Sequence, residues 1–156
     1  MAAKNVRMVA LGLLVIGLFL PIISINFLGM SQDISLFYTV TNVSSLSFLG
    51  DDISDLITLI YMIFLIYLIA MITNVLAIFR GSWIYTVISG VFALIYSGVI
   101  FVGVLAAKAE LVSSADDPFS RTLGSAAASM FNVDIGVGVA FLASILLFGS
   151  LMVRKI

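Results

Sequence analysis

Four long stretches of the chain carry no charged side chain: residues 8–25, 56–79, 84–107 and 135–153. A bilayer core of roughly 30 Å is crossed by about 20 mostly apolar helical residues, so each stretch predicts a membrane span. Lys4 and Arg7 precede the first run in the manner of a secretory signal. That run is long for a signal core, and no convincing small-x-small cleavage site follows, so it reads as a retained first helix. Pro21, with Gly17 four residues before it, predicts a kink in the outer part of that helix, because proline removes an N–H and its ring crowds the preceding turn.

Polar residues collect between the runs and differ on the two sides. If the chain crosses four times, Lys4, Arg7, Arg80, Arg154 and Lys155 share one side, with no acid among them. All eight carboxylates fall on the other: Asp33, Asp51, Asp52, Asp55, Glu110, Asp116, Asp117 and Asp134, opposed only by Lys108 and Arg121. Five positive charges therefore face a net of six negative ones, and the formal charge of −1 conceals a strong asymmetry. The excess of lysine and arginine predicts that both termini and the connection at Arg80-Gly81-Ser82-Trp83 are cytoplasmic. Two exterior loops remain, 26–55 and 108–134, neither large enough for a second domain, so residues 1–156 read as one four-span unit. In the first loop, residues 34–41 are β-branched and aromatic with partial alternation. With a turn at 29–33 they predict a small extracellular hairpin against residues 22–28. In the second loop, Asp116-Asp117-Pro118 predicts a turn and helix start, followed by a surface helix over residues 119–131.

Composition excludes much else. Of the 156 residues, 63% are apolar and 10% charged, against roughly 45–50% and 25% in soluble domains. A water-soluble globule, a disordered tail and a nucleic-acid-binding domain are thereby set aside. Without cysteine or histidine, the chain lacks disulfides, thiol chemistry and the usual ligands of zinc, iron–sulfur clusters and haem. No aspartate, glutamate, lysine, arginine or histidine lies within the four runs, and such groups mark proton relays, voltage sensors and many carriers. The expectation is a non-enzymatic protein with no cofactor.

The remaining candidates are few, and each has a bland reading. Asp51, Asp52 and Asp55 place two carboxylates on one helix face, as a hard cation such as Ca²⁺ requires; capping of the second span, where the dipole favours acids, is the preferred role. Asn74, the only side-chain amide within a run, is expected to make an interhelical hydrogen bond worth roughly 0.6–2 kcal/mol rather than to line a path. Small residues recur at Ser89, Ala93 and Ser97 and again at Gly136, Ala140 and Ser144, spacings that predict close helix packing within or between subunits. Asn42-Val43-Ser44 is a glycosylation sequon on the predicted exterior.

The layout resembles that of claudin-like four-span membrane proteins: cytoplasmic termini, a β-prone first exterior loop, a shorter second loop and close helices. The resemblance spans nearly the whole chain in topology. Claudins carry a tryptophan and a cysteine pair in the first loop, whereas residues 26–55 have neither, and the sole tryptophan is Trp83. It implies lateral self-association and exterior contacts, and transfers no site residue. The expected fold is an all-α membrane protein, an antiparallel four-helix transmembrane bundle with a small extracellular β-hairpin. Its expected place is the plasma membrane, and its partners are the lipid bilayer and copies of itself or a larger complex. Its expected role is structural or interactive, presenting an acidic exterior face. The alternatives are a channel or carrier with a cation-attracting acidic vestibule, and an accessory subunit of a membrane complex.

Overall fold

A computed structural model describes residues 2–27, 30–42, 54–113 and 118–153. Among the described residues, four helices are long and apolar enough to cross a membrane: α1 (Ala2–Phe19), α3 (Ser54–Arg80), α4 (Trp83–Ser113) and α6 (Ile135–Val153). Between them lie β1 (Pro21–Phe27), β2 (Met30–Ser35), α2 (Leu36–Asn42), α5 (Pro118–Met130) and β3 (Phe131–Val133).

α3 and α6 follow their apolar runs closely, whereas α4 continues six residues past 107 to Ser113 and takes Lys108 and Glu110 from the expected second loop; the first helix departs from its run. The expected span over residues 8–25 is corrected: α1 ends at Phe19, and Pro21 opens a strand instead of kinking a helix. The last helical hydrogen bond there runs from Leu20 N to Ile16 O, 3.1 Å. Beyond it the proline offers no N–H, disfavours helix at Leu20, and is followed by three β-branched residues among the next four.

The hairpin forms with a different second strand. β1 and β2 pair antiparallel from Pro21↔Ser35 to Phe27↔Met30. The stretch expected as strand over 34–41 is mostly α2. Ser35 caps this helix: its Oγ accepts from Tyr38 N at 3.1 Å, and Thr39 Oγ1 donates to Ser35 O at 2.8 Å. Local hydrogen bonding by serine and threonine, with Leu36 buried and Phe37 against Phe19 at 5.0 Å between ring centroids, overrides the β propensity. β3 joins the other edge of β1, giving the order β2-β1-β3. A helix is present where one was expected over 119–131: α5, one residue earlier at each end.

The long helices contact one another as a ring: α1 touches α3 and α6, and α4 touches α3 and α6. Opposed contacts show that neighbours run antiparallel. Arg7 and Leu14 of α1 meet Ala77 and Tyr67 of α3, while Ser97 and Gly90 of α4 meet Val137 and Phe148 of α6. The enclosed residues are mainly small: Ala10, Ala70, Ala93, Ala140 and Ala143, filled in by Leu14, Tyr67, Tyr96 and Leu147. Large apolar residues such as Leu65, Ile72, Val102 and Leu142 point outward. The small enclosed residues let the helix backbones approach closely.

Candidate functional site

Most buried polar side chains of the long helices donate to backbone carbonyls, while Tyr96 Oη and Asn74 Oδ1 are buried with no hydrogen-bond partner among the described residues. At the Arg80 end, Asn74 is fully enclosed and its Nδ2 donates to Arg7 O across the α1–α3 seam at 3.3 Å. Arg7 crosses the other way: its Nη1 donates to Ala77 O at 2.9 Å. That carbonyl lies in the last turn of α3, where acceptors are in excess and the dipole favours a cation. Gly81 then reverses the chain at φ 63°, a left-handed conformation natural to glycine. Arg80 Nη1 donates to Tyr85 Oη at 3.1 Å across this two-residue connection.

Two turns further along α3, Tyr67 Oη donates to Leu14 O at 2.5 Å, and its ring meets Tyr96 edge-on at 4.6 Å. Gly17 makes room for the phenol: a Cβ there would stand 2.7 Å from Tyr67 Oη. Ser89 Oγ donates to Ala70 O at 2.7 Å, tying α4 to α3. Ser97 Oγ donates to Ala93 O of its own helix at 3.0 Å, with Val137 O of α6 standing at 3.5 Å. Ser89, Ala93 and Ser97 are buried on α4, and Gly136, Ala140 and Ser144 on α6, all within one chain. Gly136 sits against the carbonyls of Pro21 and Leu20, and Ser144 Oγ turns back to Phe141 O at 2.6 Å.

The opposite end carries the sheet and the short helices. Asp134 N donates to Ile22 O at 3.0 Å, and Asp134 Oδ1 accepts from Ile135 N at 2.6 Å, so this acid joins β1 to the start of α6. Lys108 Nζ donates to Asn132 Oδ1 of β3 at 3.3 Å. α5 lies on α4 so closely that a Cβ at Gly124 would overlap the Leu111 carbonyl. Asp33 is exposed on β2.

Of the acidic cluster, Asp51 and Asp52 lie outside the described residues, and Asp55 falls in the first turn of α3. Among the described residues no three acids, histidines or cysteines stand close enough to hold a metal. Asn42 ends α2, exposed, its Nδ2 donating to Tyr38 O at 2.9 Å; the other two residues of the sequon are outside the described set.

Arg7 and Tyr67 matter more than their sequence context suggested. Arg7 reads as a flanking cytoplasmic charge, yet it extends the buried stripe Ala10, Leu14, Gly17 at spacings of 3, 4 and 3. Tyr67 shares a face with Asn74, seven residues away, and that spacing was the available signal. Chemically, the interior arrangement fastens helices together. Among the described residues, the exposed charged side chains lie toward the two ends of the long helices. No family model, no curated protein and no solved structure matches this chain.

Proposed function

We propose that this protein is a non-enzymatic, multi-pass scaffold of the cell membrane. Its four long helices form an antiparallel transmembrane bundle with left-handed packing, and its termini are cytoplasmic. It presents an acidic exterior cap to a partner or to copies of itself. The observation that carries the reading is the use made of interior polar groups. Tyr67, Asn74 and Ser89 each donate to a carbonyl of a neighbouring helix. Groups spent on helix contacts are not spent on lining a path, and no acid lies at depth among them. The sequence supports the same reading: residues 26–55 and 108–134 hold all eight carboxylates, opposed only by Lys108 and Arg121.

The test has two arms. Native-gel migration of the full chain in mild-detergent extract should give a discrete species heavier than one chain, and D33K on the exposed face of β2 should weaken it. Reconstituted liposomes should show no Na⁺, K⁺ or glycerol flux above protein-free vesicles. A monomer free of partners, or cation flux that tracks protein content, would sink the proposal. Cysteines placed at positions 81 and 113 should label from opposite sides of the membrane.

A further inference from the structure

A groove of about 590 Å³ runs along the outward side of the seam between α4 and α6. Leu94 and Phe101 wall it on α4 and Phe141 on α6; all three are exposed in the isolated chain. Its width comes from Gly98 and Gly138, where an added Cβ would meet nothing within 4 Å. From residue 94 to 101 the groove covers roughly 10 Å of helix rise, inside the roughly 30 Å of hydrocarbon that α4 is long enough to cross. At that depth the surrounding medium is acyl chain.

The end of the groove nearest the sheet is charged. Asp134 lines it, with Oδ1 held by Ile135 N and the second carboxylate oxygen uncommitted among the described residues. Lys108 continues the same α4 stripe as Leu94, Gly98 and Phe101, two turns beyond the last of these. Its ammonium donates to Asn132, two residues before Asp134, and has further protons to give. Asp134 therefore lines one end of an apolar slot, and Lys108, bonded to Asn132 beyond that end, adds a base next to it, the complement of a zwitterionic head group above a hydrocarbon tail.

We propose that this groove holds one acyl chain of a zwitterionic aminophospholipid from the exterior leaflet, with its amine at Asp134 and its phosphate at Lys108. The proposal rests on the transmembrane placement of α4 and α6. The full chain, in nanodiscs of equal phosphatidylethanolamine and phosphatidylglycerol, would be transferred to mild detergent and its retained lipid identified by native mass spectrometry. Phosphatidylethanolamine should be favoured by about fivefold, the upper end for one exposed ion pair. D134N keeps an acceptor for Ile135 N and should bring the preference to parity. G98L fills the slot from a position with free space and should remove retention while the melting temperature holds. Equal retention of both lipids, or retention untouched by G98L, would overturn the assignment, as would cysteines at 98 that cross-link two copies through the groove. The labels at 81 and 113 separate the causes. Opposite compartments with no retained lipid condemn the groove alone, and one shared compartment condemns the transmembrane placement.

Discussion

Replacing Gly136 by alanine tests how tightly the first and last long helices are locked. The new Cβ would lie 2.6 Å from Pro21 O and 3.0 Å from Leu20 O. Both neighbours are backbone, so no side chain can rotate out of the way. Restoring ordinary contact at 3.4 Å from 2.6 Å requires roughly 0.8 Å of movement between α6 and the α1–β1 junction. That junction is held by the β1–β3 pairing and by Asp134 N on Ile22 O. Overpacking of this kind costs about 1–3 kcal/mol. Gly138, two residues on, is the internal control: a Cβ there meets nothing within 4 Å, and alanine gains up to about 1 kcal/mol of helix propensity. Unfolding in mixed micelles by added SDS, followed by far-UV circular dichroism, should lower the midpoint for G136A and leave or raise it for G138A. A G136A midpoint equal to or above that of G138A would refute the close approach.

Y67F removes the phenol that donates to Leu14 O. It should cost about 0.5–1.5 kcal/mol in the same assay, with helix content unchanged. S35A removes the cap of α2, worth about 0.5–2 kcal/mol locally; faster amide exchange at Tyr38, with α3 and α4 protection unaltered, would report it. G90A should be milder than G136A, because its Cβ meets only the Phe148 ring at 3.0 Å, and a ring tip yields where a carbonyl does not; a larger loss than for G136A would contradict this.

The long helices were legible because hydropathy over some twenty residues leaves little competition for helix. α6 coincides with its apolar run, and α3 extends its run by two residues at one end and one at the other. The first run misled because apolarity does not distinguish a span from a strand that follows it. The decision belonged to Pro21 and the isoleucines after it, a local backbone effect. Residues 36–42 show the converse. Their side chains favour strand, but a serine cap and threonine back-bonds make a short helix, and the reward includes tertiary contacts of Leu36 and Phe37 that no periodicity displays. β3 was invisible for a similar reason: three residues gain strand geometry only because β1 arrives beside them. At the interior site, spacing revealed the small-residue faces and Asn74. It could not reveal that Arg7 reaches into the seam, since arginine at a membrane boundary ordinarily turns toward water.

Because β3 pairs with β1 while α1 lies along α6, the beginning and the end of the fold are stitched together at a point remote from the Gly81–Ser82 connection. That connection is therefore dispensable as a covalent link. Fragments comprising residues 1–81 and 82–156, co-expressed as separate polypeptides, should find each other and co-purify. Each supplies one partner of the α1–α6 seam, the α3–α4 seam and the shared sheet.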